Sequence, residues 1–332
     1  SDKAAYVFIE KIQDFNNWMV SLRINVKQYP IPRIDELYKI YYDCHVKLDK
    51  NEQKLHNLFP YVRTASGRAL WSPNTCVVDP KEVINKLRDE LIDLGVNIIY
   101  ECKDYKFLPQ NKEIILNSTF KLNYSHLFNC SGLYADLVAK EFNIGREFHI
   151  VPFKGSYWEL KTNDKLKINT NIYPVPDLKM PFLGVHFTPS SNNSKVYIGP
   201  SASPAFGREN YNNLQGIDFN VSISMISFLT KQYFSNQKGF RKYLYEEVKN
   251  IFPPLRIKNS QMLIPSIKLE DMILSSKVGI RPQLVNTSSK QLVDDFLCIR
   301  GQNSTHILNA ISPAFTASFS FADLIIQESG LV

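Results

Sequence analysis

Apolar and polar positions follow two periods along this chain, and the switch between them marks its organisation. Helical spacing comes first. The segment from Ala4 to Leu22 predicts an amphipathic helix, a second helix begins near Asp35 after prolines 30 and 32, and "HVKLDKNEQKLHNLFP" continues as a charged helical patch to Pro60. In "VVDPKEVINKLRDELIDLGVNIIY", Asp79 caps a helix that has Pro80 at its first position. Val83, Leu87 and Leu91 form its buried face, Gly95 ends it, and "VNIIY" follows as a strand. "KEIILN" and "TFKLNY" pair as a hairpin. "FNCSGLYADLVAKEF" then reads as the end of a buried strand, a turn at Ser131-Gly132, and a helix carrying Leu133, Leu137 and Val138.

Between Phe148 and Ile280 the period falls to two. "HIVPFKGSYWEL", "NTNIYPVP", "FLGVHFTP" and "KVYIGP" alternate aromatic and aliphatic with polar residues, which predicts an antiparallel sheet. Helical segments around Val221 to Tyr233 and Gly239 to Phe252 interrupt it. The α/β style returns with "VGIRPQLVN", "DDFLCIRG", "THILNA" and a closing helix in "SPAFTASFSFADLIIQES". The expected fold class is α/β (α+β), with an antiparallel sheet set beside a strand-helix layer.

A length of 332 residues calls for two domains, or one large α/β domain with an insertion. No run of eighteen apolar residues occurs, and "SDKAAYVFIEKIQDF" lacks a secretory pattern, so a soluble cytoplasmic protein is expected. Lys and Arg number 39 against 32 Asp and Glu, and the basic residues are scattered. Such a balance is compatible with acidic small molecules, anionic membranes or nucleic acid, and does not choose among them. Five widely spaced cysteines, with no CxxC, speak for a reducing compartment and against a metal site built from cysteine pairs.

A glycine between a strand's carboxyl end and a helix's first turn is where such sheets meet a nucleotide, because N–H groups of the turn are free for phosphate or ribose. Gly132 occupies that position. Yet no two of the thirteen glycines lie closer than eight positions, so neither GxGxxG nor a P-loop occurs in these residues. HExxH, EF-hand and GxSxG patterns are also missing.

The succession "NCSGLYADLVAK", "HIVPFKGSYWEL", "IYPVPDLKMPFLGVHFTP", "VYIGPSASPAFGRENY", "VGIRPQLV", "LVDDFLCIRG" and "HILNAISPAFTASFSFADLI" resembles the L-2-hydroxyglutarate oxidase/dehydrogenase group of the D-amino-acid-oxidase-like flavoproteins. The resemblance runs from about Trp71 to near the C-terminus, and less clearly from Lys3. It implies FAD as cofactor and oxidation of an L-2-hydroxy dicarboxylate, 2-hydroxyglutarate to 2-oxoglutarate, with a quinone or oxygen as acceptor. It involves no nucleic acid and leaves a peripheral membrane contact open. By this resemblance residues 1–62 form a helical segment and the edge of the substrate domain. Residues 63–147 and 279–332 belong to an incomplete FAD-binding Rossmann-like layer, and 148–278 are the antiparallel substrate domain. The family opens with a glycine-fingerprint βαβ unit and a histidine loop that this sequence does not contain. The chain alone is therefore expected to bind FAD weakly, that segment being truncated or supplied by another chain. Two alternatives stay open: an amine- or amino-acid-oxidising relative, and a noncatalytic remnant or subunit.

Oxidising a 2-hydroxy acid needs a group to take the hydroxyl proton and cations to hold carboxylate. The resemblance points to His186 in "GVHFT" as the base. Arg281 in "GIRPQ", between Gly279 and a proline, suits a carboxylate or the flavin, since its fork binds in bidentate fashion. Lys154 and Tyr157 flank Gly155 as candidate substrate contacts, and Arg208 in "FGRENY" is placed near the substrate. Cofactor contacts are expected at Ser131, Gly132 and Gly279, and at Ser312 and Pro313 ahead of the closing helix, whose N-terminus stabilises negative charge on a reduced flavin. His306 reads as structural.

Overall fold

The computed structural model describes residues 6–9, 47–49, 56–57, 59–63, 69–72, 77–161, 166–174, 184–212, 214–236, 240–241, 244–245, 253–289, 291–311 and 314–331. In chain order the first strands are β1 (Tyr6–Ile9), β2 (Lys47–Asp49) and β3 (Ala69–Ser72), followed by helix α1 (Pro80–Asp93). Next come β4 (Tyr105–Leu108), β5 (Glu113–Leu116), β6 (Phe120–Asn123) and β7 (Leu127–Asn129). A 3-10 turn (Gly132–Tyr134) leads from β7 into α2 (Ala135–Glu141). The strands β8 (Phe148–Leu160), β9 (Asn171–Pro174), β10 (His186–Pro189), β11 (Val196–Gly199) and β12 (Ser203–Pro204) precede helices α3 (Phe219–Ser235) and α4 (Pro253–Gln261). The chain ends with β13 (Met272–Asn286), β14 (Gln291–Leu292), β15 (Leu297–Gly301), β16 (Ser304–Asn309) and α5 (Ser318–Ser329).

The large sheet has the order β14-β13-β8-β11-β10-β9-β1-β3-β2, with β12 paired to β8; two three-stranded sheets, β15-β16-β7 and β4-β5-β6, complete the strands. The chain divides into two compact units. One comprises residues 1–90, 155–203 and 228–279, and the other 91–154, 204–227 and 280–332.

In the first unit the alternation read in the sequence becomes two faces. Antiparallel register sets Trp158 opposite Ile198, Ile198 opposite Phe187, and Phe187 opposite Ile172. These residues line one face. Ile257, Leu263, Ile264 and Ile267, in and after α4, join the same buried cluster. Phe187, Ile172, Ile198, Ile264 and Ile267 are wholly buried, and each contributes about 1.5–3 kcal/mol relative to exposure. Residues one step out of phase with this file point to the other face.

The second unit is built around β15-β16-β7, in which β7 runs parallel to β16. Ala135 and Ala139 of α2 pack with Ile150, Leu284 and Leu308 in its core. Small residues at these two positions let the helix approach the strands closely.

Three elements differ from the sequence reading. Tyr6–Ile9 lies on a strand, antiparallel to β3 and parallel to β9, because the run Tyr-Val-Phe-Ile is aromatic and β-branched and finds sheet partners on both sides. The rest of the helix expected over 4–22, and the one near Asp35, lie outside the described residues. Lys47–Asp49, inside the expected charged helix, is likewise a strand. "VNIIY" forms no strand: it has no ladder partner among the described residues, and Val96, Ile99 and Tyr100 are exposed. A strand without a neighbour leaves its backbone groups to water. Helix α1 starts as expected, with the Lys81 N–H donating to Asp79 Oδ1 at 2.8 Å, and it ends at Gly95, whose φ is +82°. Its face of Val83, Leu87 and Leu91 is only half-buried. The second helix of the interruption falls largely outside the described residues, of which 240–241 and 244–245 are helical. Among the described residues no helix is long and apolar enough to cross a membrane.

Candidate functional site

In the first unit, the face of the sheet opposite the apolar cluster carries polar and aromatic side chains. His186 stands opposite Gly199 on β11, and its ring stacks on Tyr173 of β9 at 4.4 Å between centroids. His186 Nδ1 lies 2.9 Å from the carbonyl oxygen of Gly184. A carbonyl only accepts, so Nδ1 carries the proton and the Nε2 lone pair is the basic one. Tyr157 of β8 and Tyr197 of β11 meet edge to face at 6.2 Å, and Lys277 of β13 sets its ammonium over both rings, 5.1 and 4.2 Å from the centroids. Desolvation pushes the Lys277 pKa down, with Asp79 acting against it. Gly279, two residues on, is exposed, and no atom lies within 4 Å of where a Cβ would stand.

The second unit holds the turn after β7. Ser131 and Gly132 are exposed; Gly132 takes a φ of +55°, and the place of its absent Cβ is open. Beneath this open surface the turn is fastened by Asn129. Its Nδ2 donates to the Ala135 carbonyl at 2.8 Å and to His306 Nδ1 at 3.1 Å, while its Oδ1 accepts from both the backbone N–H and the hydroxyl of Ser131. All the hydrogen-bonding capacity of that amide is in use. His306 in turn donates from Nε2 to Ser304 Oγ at 3.1 Å. Burial, reinforced by the nearby His126, lowers the His306 pKa to about 4. The ring is therefore neutral at ordinary pH, as an acceptor at Nδ1 requires.

A second fastening is ionic. Asp136, fully buried in the first turn of α2, receives the Arg208 guanidinium in bidentate fashion at 2.7 and 2.9 Å and the Ile150 N–H at 3.1 Å; His149 Nδ1 is 3.4 Å away. Burial alone raises the Asp136 pKa, but the hydrogen bonds from His149 and Arg208, with the charge of Arg208, outweigh it and hold the carboxyl well below its usual range. Arg208 also donates to the Leu133 carbonyl, within the turn itself.

Arg208, expected near the substrate, is engaged within the protein. Both arms of its fork are spent on Asp136, and its side chain is buried. Its further bond goes to the Leu133 carbonyl of the turn. Lys154 donates to Asn210 Oδ1 at 3.2 Å, and desolvation lowers its pKa. Arg281 is exposed on β13. Ser312 and Pro313 lie outside the described residues. The structure thus brings His186 and Tyr157 onto one sheet face of the first unit, and gathers Ser131, Gly132 and Arg208 around one turn of the second. Asn129, Asp136, Tyr173 and Lys277 did not stand out in the sequence. An Asn two residues before Ser-Gly at a strand end was the one available signal.

The turn fits the nucleotide half of a dinucleotide cofactor: an exposed glycine with room for close approach sits at the carboxyl end of a parallel strand, on a rigid hydrogen-bonded base. The closely spaced glycines that cradle a pyrophosphate are not among these 332 residues.

Comparison with known proteins gives the family. The profile of the family described as FAD dependent oxidoreductase matches residues 27–328. A protein named L-2-hydroxyglutarate dehydrogenase, mitochondrial, from Nematostella vectensis is 33% identical over 285 residues, covering 79% of this chain. The protein of the same name from Caenorhabditis elegans is 31% identical over 343 residues, covering 98% of this chain. The chain spans 60% of the length of the first and 76% of the second. The solved structure of the L-alpha-glycerophosphate oxidase of Mycoplasma pneumoniae with FAD bound shares the fold, with a TM-score of 0.61 at 15% identity, over 99% of this chain and 72% of that one. With nine-tenths of its length matched by the profile, the chain belongs to the DAO family of FAD dependent oxidoreductases.

Proposed function

We propose that the chain serves in the oxidation of an L-2-hydroxy acid, with L-2-hydroxyglutarate as substrate, 2-oxoglutarate as product and a quinone or oxygen as final acceptor. The observation that carries this reading is the tautomer of His186. With Nδ1–H held by the Gly184 carbonyl, Nε2 is the nitrogen of this ring able to take up a proton, as a general base must. As His186 takes the hydroxyl proton, the carbinol carbon gives up its hydrogen with both electrons, and the C–O bond becomes a carbonyl. FAD, when bound, supplies the acceptor for that hydride. Ser131 and Gly132 hold its nucleotide part from the turn that Asn129 and Arg208 fix in place. Tyr157, kept on the same face as His186 and backed by Lys277, bounds the substrate. Lys154 and Arg281 are assigned to anionic groups, Arg281 to a substrate carboxylate or the cofactor, since its fork matches a carboxylate.

The relatives at about 30% identity support the choice of substrate by their names. Reduction of an artificial electron acceptor, in the presence of FAD, tests it directly. L-2-hydroxyglutarate is expected to drive reduction, and the D-enantiomer and amino acids are not. Turnover of an amino acid in place of the hydroxy acid would move the chain to the amine-oxidising branch.

A further inference from the structure

One buried side chain on the His186 face has no hydrogen-bond partner among the described residues. Asn171, the first residue of β9, is fully buried, and neither its Nδ2 nor its Oδ1 is hydrogen-bonded. Two other described residues have a single unanswered atom each, and both have company: Glu113 lies 3.4 Å from Lys121, and the other ring nitrogen of His149 faces Asp136. Asn171 alone among the described residues has both ends of its group unanswered. Leaving a buried polar group unpaired costs roughly 1–3 kcal/mol, so a leucine of similar shape would suit a purely structural position better.

The direction of the side chain follows from the register. Ile172 pairs with Phe187 and belongs to the apolar cluster. Asn171 and Tyr173, on either side of it, therefore point to the opposite face, where Tyr173 stacks on His186. Continuing the antiparallel register sets Asn171 across from Thr188 and diagonal to His186. Diagonal neighbours on adjacent strands are roughly 7–8 Å apart, within the span of one small ligand.

We infer that Asn171 is a substrate-binding residue, its amide matched to the two halves of a 2-hydroxy acid. In the bound ground state Nδ2 donates to a carboxylate oxygen and Oδ1 accepts from the hydroxyl; the single O–H must swing from Oδ1 to Nε2 of His186 before its proton is removed. This rests on the proposed function and adds a specificity determinant to it. An amide suits this ligand because it offers a donor and an acceptor side by side, whereas an ammonium or a carboxylate offers one kind only. A ligand lacking the hydroxyl leaves Oδ1 unanswered, and discrimination follows from that.

The test measures two quantities on Asn171→Leu and Asn171→Asp: melting temperature without ligand, and affinity for L-2-hydroxyglutarate and for glutarate, which has no hydroxyl, both with FAD present. Asn171→Leu should melt higher than wild type and bind L-2-hydroxyglutarate at least about tenfold more weakly, no better than glutarate, since one lost hydrogen bond of this kind is worth about a factor of ten. Asn171→Asp should lose affinity for both ligands by repelling carboxylate. An Asn171→Leu protein that melts lower, or either variant binding L-2-hydroxyglutarate within twofold of a catalytically active wild type, would overturn the inference and leave the proposed function standing. A wild type that binds neither this nor any other 2-hydroxy acid would overturn both.

Discussion

The turn after β7 and the polar face around His186 solve opposite problems. At the turn, the groups that fasten the backbone are paired: Asn129 uses its full capacity, His306 sits between Asn129 and Ser304, and Asp136 takes both arms of Arg208. Around His186 position comes from strand register and ring stacking, and Asn171 is left unanswered. A fully satisfied network rigidifies the backbone it holds. A face that keeps buried polar capacity in reserve is less stable than it could be, and such places are where binding is found. One region is built to present backbone, the other to present side chains.

The comparison is broken most severely at His186. In FAD-loaded enzyme, His186→Ala should lower kcat by roughly 10²–10⁴-fold, the usual worth of a general base, beside a drop in melting temperature from the lost stacking that a His186→Gln protein should lessen without restoring kcat. Steady-state kinetics beside a thermal melt decides this. If turnover is retained, the polar face is a binding surface and the base lies elsewhere.

At the turn the effects run the other way, into stability. Asp136→Ala strands the buried Arg208 charge and should cost about 3–5 kcal/mol, read from urea unfolding. Replacing both partners by apolar residues should recover much of that loss, while loosening the turn and weakening flavin affinity. The low Asp136 pKa makes its contribution present above the ordinary aspartate value and lost as pH falls below it.

Acid sharpens the contrast further. The His306 pKa, lowered to about 4 by burial, lies below its unfolded value, so the stability it contributes is full above about pH 6.5 and drains away as pH falls toward 4 and below. The linked change amounts to roughly 3 kcal/mol at most. Protonation at Nδ1 would set two donors, His306 and Asn129 Nδ2, against each other. Protection of the amides from Ser131 to Val138, taken relative to their intrinsic exchange rate at each pH, should therefore fall over that range, and a His306→Gln protein should show a flatter profile.

Much of this was legible beforehand. The antiparallel strands between Phe148 and Ile280 declare themselves by period two, because one face must be apolar wherever a sheet is half-covered. The Gly132 turn was visible because strand, glycine and helix are local signals, and α1 because Asp79, Pro80 and Gly95 act within one helical turn of themselves. Arg208 was not legible: its partner Asp136 lies 72 residues earlier, and nothing near "FGRENY" announces it. "VNIIY" carries the residues of a strand, but a strand exists only where another offers it a ladder. Tyr6–Ile9 shows the converse, a short aromatic and β-branched run drawn out of an expected helix by neighbours on both sides.

By itself, then, the sequence determined the periods, the caps and the turn, since these depend on residues within a few positions of one another and on backbone conformations that only some side chains allow. Tertiary structure decided which polar groups are spent and which are kept. Whether Arg208 meets a ligand or a buried carboxylate, which nitrogen of His186 bears the proton, and whether Asn171 finds a partner all depend on atoms far away in the chain. Hydrogen bonds and ion pairs are set by distance and direction in space, and a one-residue shift of register would have turned His186 and Asn171 into the apolar core.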